Sequence, residues 1–263
     1  MNDDITVGVL SLHNSKETKA ILNAVERLGF EAAWLRADTL SVDIADGEVT
    51  LEPDVDIIVN RLLLSKEEQP AEALGLATML DRMRPMLNHP TETMTAMHKF
   101  AAGTALAEAG LPVPDAFMAL SADLLNADRE KFGEEVVYKT AIGTHGGGTW
   151  KIDAGEPVNP MVGSRQAFLQ RFIDHDEQRH SDLRVYVVGE QVVGAMNRYA
   201  PEGDWRTNVA LGGDVTDATE GLTDEVRQLS KRAADVVGLD ISGPMLQQGR
   251  SKARAAGVDD HLE

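Results

Sequence analysis

The sequence predicts an α/β protein with a small parallel sheet near its N-terminus. Three observations predict this. Apolar, strand-like runs alternate with an amphipathic helix over the first sixty or so residues. A glycine-dense loop, KTAIGTHGGGTW (Lys139–Trp150), lies between two strand-like runs. An alternating β-hairpin follows, and then a long amphipathic helix.

The elements read in order as follows. Ile5–Leu10 is a buried first strand, apolar in succession. Ser15–Phe30 is an amphipathic helix with Ser15 as N-cap, Thr18 three positions on, and Gly29 as its stop. Glu31–Ala37 and the β-branched run Val55–Arg61 are the second and third strands. The first strand is followed by Ser-Leu-His-Asn-Ser, so the glycine-rich turn of a dinucleotide fold is absent there. Asn88–Phe117 reads as a junction and then one helix, capped by Thr91 or Thr93 and ended by Gly110, with two prolines spacing the exit toward a strand. Glu134–Ala141 is a strand running into the glycine loop, and TWKID beyond the loop is another. Gln166–Ile173 leads from a helix toward a short extended link. Asp182–Ala200 is a β-hairpin turning around GEQ, and Leu222–Ile241 is a helix capped by Thr223 and ending at Gly238. The expected lobes are 1–95, 96–172 and 173–263.

Composition narrows the function. The 263 residues carry a net charge of −18, with 16 arginines to 9 lysines and no cysteine. Disulfides, thiolate metal sites and cysteine nucleophiles are thereby excluded. An acidic surface repels nucleic-acid phosphates, so no nucleic-acid partner is expected. The bias reads as adaptation to a salt-rich cytoplasm. No apolar run reaches membrane-spanning length and no signal peptide is seen, so the expected location is cytoplasmic, with no membrane partner. A homo-oligomer is compatible with the sequence.

Four glycines fall within six residues of the loop, at Gly143 and Gly146–Gly148. Such density marks a backbone that approaches something closely or takes positive φ. A P-loop fails because Thr149, not lysine, follows Gly148. A Rossmann loop fails on glycine order and because a strand, not a helix, follows. A glycine hairpin that folds its N–H groups over phosphates remains, against the plain alternative of a solvent-exposed turn. Lys139 and Lys99, scarce lysines in this chain, are candidate phosphate counter-charges. Arg206 and Asn208 in WRTN, read as alternate positions of a strand, share a face suited to a phosphoryl group or acyl phosphate. Arg184 and Arg198 lie on the hairpin before them; Arg61 and Arg198 suit structural salt bridges equally well.

The ordered set Lys99, VYKTAIGTHGGG, FLQRFI and DLRVYVVGEQVVGAMNRYAPEGDWRTNVALGGDV resembles the RimK-like glutamate ligases of the ATP-grasp superfamily, over roughly Asn88 to Ile241. The resemblance implies an ATP-grasp fold with an N-terminal pre-ATP-grasp lobe. It implies ATP between two antiparallel lobes, with Lys99 and Lys139 on its phosphates and Gly143, Thr144, His145, Gly146 and Gly148 as the lid. It implies backbone hydrogen bonds from Arg171 and Phe172 to adenine, flanked by Gln170 and Ile173, and Asp182 on the ribose. Arg184, Arg206, Thr207 and Asn208 would face the phosphates and the reacting carboxylate, with Arg184, Arg206 and Asn208 the catalytic candidates. The implied activity is ligation of an amine, such as that of glutamate, to a carboxylate-bearing acceptor through an acyl phosphate, with Mg2+. The acceptor is open among protein tails, pterin or deazaflavin coenzymes and amino-acid carriers. Arg171 departs from the family's usual glutamate.

A larger departure lies at the C-terminus. The family places a metal-binding aspartate and then a Glu-x-Asn pair there; Met245 stands at the first position and no Glu-x-Asn follows. No acidic residue occurs from Ile241 to Val258, where Arg250, Lys252 and Arg254 appear. The tail reads as a shifted frame or appended end, as a degenerate terminus, or as a short basic helix. No metal ligands are assigned, and weak ATP binding with little ligase turnover is the expectation for this chain. The rival readings are a non-catalytic ATP-binding pseudo-ligase and a kinase-like phosphotransferase.

Overall fold

The first three predicted strands form one sheet, and all run parallel. In the computed structural model β1 (Thr6–Leu10) pairs with β2 (Glu31–Leu35) on one side and β5 (Ile57–Asn60) on the other. The short β6 (Met86–Leu87) adds to β5, giving the order β2-β1-β5-β6. The helix α1 (Lys16–Arg27) starts where the sequence predicts: Ser15 Oγ accepts the Thr18 N–H at 3.1 Å. Val9, Leu10, Leu35 and Ile58 are fully buried, as strands of a covered parallel sheet require. In this part of the chain the hairpin of β3 (Ser41–Ala45) and β4 (Glu48–Glu52), the helix α2 (Pro70–Met83) and β6 are additions to the sequence reading.

The structure describes residues 5–63, 69–129, 135–143, 148–153, 155–158, 167–173 and 179–237. It divides into two units, with the cut between Met94 and Thr95. The predicted helix between Asn88 and Phe117 is in fact two: α3 (Pro90–Met97) and α4 (Lys99–Glu108). Neither Thr91 nor Thr93 caps α4. His98 does, its Nδ1 accepting the Ala101 N–H at 3.1 Å, while Thr93 lies inside α3 and is buried. An imidazole acceptor at the N-cap is outside the usual Ser/Thr/Asp/Asn set, which is why the sequence pattern passed over it.

The second unit holds two antiparallel sheets. One has the order β7-β10-β8-β9, built from β7 (Ala116–Met118), β8 (Val136–Thr140), β9 (Thr149–Ile152) and β10 (Ala167–Arg171). Ala167–Arg171, read as leading toward a short extended link, is instead a strand inside the sheet: β10 is bonded to β7 and β8 on either side. Its apolar core gathers Val136, Tyr138 and Leu169 with Leu125 of α5 (Ala122–Asp128) and Val158. The other sheet, β11-β12-β13, consists of the predicted hairpin, β11 (Ser181–Val188) and β12 (Gln191–Tyr199), with β13 (Asp214–Asp217) on its edge. The helix α6 (Asp224–Val237) packs on β11 and β12, and Thr223 Oγ1 accepts the Val226 N–H as the cap. The predicted stop at Gly238 lies outside the described residues.

Candidate nucleotide and acyl-transfer site

A cavity of about 950 Å3 lies in the second unit, lined by β8 and β10 of one sheet and by β11, β12 and the segment after β12. That volume suits a small molecule. Strand periodicity places its residues. On β8, Val136 and Tyr138 enter the apolar core, so Val137 and Lys139 turn to the cavity. Lys139 Nζ donates to Gln170 Oε1 of β10.

Lys99 is the first residue of α4. Its N–H donates to Ala141 O at 2.8 Å, and its Nζ donates to Thr140 O (3.1 Å) and Gly143 O (3.0 Å). The helix start is thus pinned to the mouth of the glycine loop. Burial lowers the pKa of Lys99, and burial followed by the charge of Lys99 lowers that of Lys139. Among the described residues neither lysine is paired with a carboxylate.

The loop glycines at the described ends answer to Thr140. Its N–H donates to Gly148 O at 2.8 Å, closing the loop across β8 and β9. A Cβ at Gly143 would come within 2.8 Å of Thr140 Oγ1, and one at Gly148 closer still. Both ends of the loop wrap a buried threonine, and neither has room for a side chain. Thr144, His145 and Gly146 lie outside the described residues.

The facing wall carries arginines. Arg184 on β11 lines the cavity, exposed, with no hydrogen bond or ion pair among the described residues. Asp182 and Arg198 stand directly opposite on β11 and β12, joined by two hydrogen bonds, Nε to Oδ1 at 2.7 Å and Nη2 to Oδ2 at 2.6 Å. Thr207 Oγ1 also donates to Asp182 Oδ2. Burial pushes the Asp182 carboxyl up, but the hydrogen bonds from Arg198 and Thr207, with the charges of Arg198 and Arg184, outweigh it and the net shift is downward. Asp182 lines the cavity, yet most of its acceptor capacity is spent inside the protein.

WRTN is not a strand, and this corrects the alternation argument for Arg206 and Asn208. The segment is irregular and ends in a 3-10 turn at Val209–Leu211. Both residues still line the cavity, positioned by local hydrogen bonds instead of a pleat. Arg206 is held by Asp204, through Nε at 3.1 Å to Oδ1 and Nη2 at 2.8 Å to Oδ2. The Asn208 carbonyl accepts from Leu211 and Gly213 N–H. Gly213 sits where a Cβ would come within 2.7 Å of Thr207 O and 2.9 Å of Tyr199 O, which accounts for the second glycine of the Gly212-Gly213 pair.

One end of the cavity is aromatic. Phe172 makes edge contacts with Trp205 (5.6 Å) and His180 (5.8 Å), and Lys151 Nζ lies 4.2 Å from its ring centroid. The Arg171 N–H donates to Asp115 O and the Phe172 N–H to Glu135 O. Both backbone donors are thus engaged within the protein. Arg171 also pairs with Asp115 at 2.7 Å, both half exposed.

The cavity thus collects Lys99, Lys139, Gly143, Gln170, Arg171, Phe172, Ile173, Asp182, Arg184, Arg206, Thr207 and Asn208. Gly148 stands at the loop stem. Sequence reasoning missed Thr140, Trp205, His180 and Asp204. Asp204 carried a legible signal, since an aspartate two residues before an arginine has Asx-turn spacing. Among the described residues, no group of three or more His, Asp or Glu is placed to hold a metal ion. None of the described helices is long and apolar enough to cross a membrane.

Comparison with known proteins shows the family and the fold. A family model described as the RimK-like ATP-grasp domain matches residues 96–253. The chain is 29% identical over 209 residues to a probable alpha-L-glutamate ligase of Mannheimia succiniciproducens, covering 78% of this chain and 68% of that protein. It is 29% identical over 172 residues to the tetrahydromethanopterin:alpha-L-glutamate ligase of Methanocaldococcus jannaschii, covering 62% of this chain and 58% of that protein. In fold it is similar to the ATP-grasp ligase PsnB, solved with a phosphomimetic variant of a minimal precursor, Mg and ADP. The TM-score is 0.64 at 16% identity, over 99% of this chain and 98% of that one.

Proposed function

Because the chain belongs to the RimK-like ATP-grasp family, we propose that it is an ATP-dependent carboxylate–amine ligase that joins an amino acid such as glutamate to a carboxylate-bearing acceptor. One observation carries this reading. Lys99 and Lys139 line one cavity, and neither has a carboxylate partner among the described residues. Buried or half-buried cations without counter-charge call for an anionic ligand. A polyphosphate supplies the charge, and the aromatic end supplies a surface for a base.

In this reading residues 96–172 provide the phosphate-binding lysines and the glycine lid, and the part from 173 onward provides the acyl-transfer groups. Lys99 and Lys139 hold the phosphates. The acceptor carboxylate attacks the γ-phosphorus and ADP departs, leaving an acyl phosphate. The amine nitrogen then attacks the acyl carbon, phosphate leaves, and the amine gives up a proton. Arg184, Arg206 and the side-chain amide of Asn208 would meet the charge that develops on the phosphoryl and acyl oxygens, so their work is electrostatic. Asp182 and Thr207 flank the sugar. Magnesium is given no step: the two carboxylates of this wall, Asp182 and Asp204, are engaged by arginines, and the described residues offer no third.

The test is hydroxylamine trapping. With ATP, Mg2+ and a glutamate-terminated peptide or a reduced pterin, the working ligase releases ADP and yields a hydroxamate in place of the amide. ADP release without hydroxamate or amide, accompanied by a stable phosphorylated product, would make it a phosphotransferase. Met245 at the family's aspartate position favours a second reading. That reading is an ATP-binding protein without turnover; saturable ATP binding with no ADP released under any acceptor would establish it.

A further inference from the structure

Asp204 does not line the cavity, but it touches Arg206 more extensively than any other residue does. Its Oδ1 accepts the Arg206 backbone N–H at 2.9 Å and the Nε–H at 3.1 Å, and its Oδ2 accepts Nη2–H at 2.8 Å. One carboxylate therefore fixes both the backbone turn and the plane of the guanidinium. Asp204 is itself tied down, its N–H donating to Pro201 O at 3.1 Å. The hydrogen bond from Arg206 holds the Asp204 carboxyl down to about 2, so it is ionised at any physiological pH. The side chains are only partly exposed, 21% for Asp204 and 32% for Arg206.

We infer that Asp204 is a positioning residue: it presents Arg206 to the anionic ligand in one orientation and never meets the ligand itself. A free arginine on an irregular segment would sample many rotamers and lose that freedom on binding. Here the Nε edge and one Nη are committed to Asp204, and the remaining Nη edge is the part left to meet a ligand. The arrangement differs from Asp182–Arg198, where the carboxylate itself lines the cavity. The inference rests on the ligase reading only for what the ligand is.

Asp204→Asn is the informative variant, because it keeps Oδ1 for the Arg206 N–H and removes the charge and the second acceptor. The first readout needs no ligand: the Arg206 Nε–H resonance is restrained and slow to exchange in the parent protein and becomes averaged in the variant. The second is ATP titration, where the variant binds roughly tenfold more weakly, the scale of one charge-assisted hydrogen bond. Its melting temperature falls, as that of Arg206→Met does, because the charge of Asp204 contributes to stability above its ordinary pKa, and affinity is therefore read well below the transition. Placed in an Arg206→Met background, Asp204→Asn has no further effect on affinity. An Nε–H already averaged in the parent overturns the inference. So does unchanged or tighter ATP binding in Asp204→Asn when Lys139→Ala abolishes it, and so does an undiminished effect in the Arg206→Met background. If Lys139→Ala leaves ATP affinity intact, the nucleotide reading fails instead, and the Nε–H measurement alone decides the role of Asp204.

Discussion

The two walls of the cavity treat positive charge in opposite ways. On the lysine wall, Lys99 and Lys139 have their N–H donors met by neutral oxygens: Thr140 O, Gly143 O and Gln170 Oε1. Two of the three Lys99 ammonium donors and one of the three of Lys139 are met among the described residues, and neither charge is compensated there. On the arginine wall, Arg198 and Arg206 are each forked onto a carboxylate, and only Arg184 is left over. The contrast teaches that donor satisfaction and charge compensation are separate matters. The lysine wall stores attraction for an anion at a cost to the empty protein; the arginine wall gives up attraction for fixed geometry.

The largest effect should come from breaking the lysine wall. Lys139→Met is expected to weaken ATP binding by roughly a hundredfold, or about 3 kcal/mol, the upper range for a lost charged hydrogen bond. The same change should leave the empty protein as stable as before or more so, since it removes a desolvated cation beside Lys99. Arg206→Met should do the reverse in kind, with a smaller loss of affinity and a lower melting temperature, because Asp204 loses its partner. Calorimetric titration and thermal unfolding of the two variants decide it; a destabilised Lys139→Met with normal affinity would erase the contrast between the walls.

Gly213→Ala is next. The new methyl would meet two backbone carbonyls, Thr207 O at 2.7 Å and Tyr199 O at 2.9 Å, which cannot swing aside as a side chain can. A loss of about 1–3 kcal/mol is expected, the usual range for overpacking. The partner experiment is Gly103→Ala on α4, where nothing lies within 4 Å of the new Cβ. There the helix should gain up to about 1 kcal/mol from propensity. Denaturant melts that rank the two variants the other way would show that the turn after Asn208 yields more easily than its carbonyls suggest.

What could be read from the sequence follows from how local each cause is. The strands β1, β2, β5, β8, β11 and β12 and the helices α1 and α6 announce themselves through periodicity and caps that act within a few residues. The lysines of the site were legible because lysine is scarce and because Lys139 adjoins the glycine loop. The break at His98 was not, since it depends on an imidazole acceptor. The hairpin β3–β4 was not read either: its strands carry Asp43, Glu48 and Glu52, and much of the hairpin is exposed, so no apolar run marks it. The face shared by Arg206 and Asn208 was reached by an argument from strand alternation, whereas the segment is irregular. What brings them together is Asp204 and the Gly213 turn, and pairing across space is what a one-dimensional pattern lacks.

A smaller effect should follow from Asp182→Asn. Asn keeps one acceptor for Arg198 Nε and cannot hold the second fork or the charge. Arg198, with a side chain 15% exposed, would then be a second cation without an ion-pair partner on the wall, beside Arg184. A cost of about 1 kcal/mol is expected, between the surface and buried limits for ion pairs. If the arginine wall is built for geometry, ATP affinity in this variant should fall along with stability. A variant that binds ATP more tightly would mean that its arginines are held back from the ligand.

The smallest effect, and the sharpest on the cause, is the dependence of stability on pH. Lys139 has its pKa lowered from 10.5 by burial and then by Lys99, so the unfolded chain holds more protons than the folded one between the lowered value and 10.5. Stability should therefore rise with pH across that alkaline window. Asp204 titrates at about 2 in the folded protein against an ordinary 3.8. Its contribution is complete above the ordinary value and is lost as pH falls toward about 2, so stability again rises with pH, now at the acid end. The slopes share a sign and differ in origin. Burial dominates the lysine shift, and added salt does not undo burial; a hydrogen-bonded charge pair near the surface is screened. Unfolding followed at both ends in low and in molar salt should flatten only the acid slope. Lys139→Met should abolish part of the alkaline slope and leave the acid one, and Asp204→Asn should do the opposite. An alkaline slope that salt removes would mean that the lysine wall is governed by pairwise charge after all, and that the difference between the two walls is one of degree.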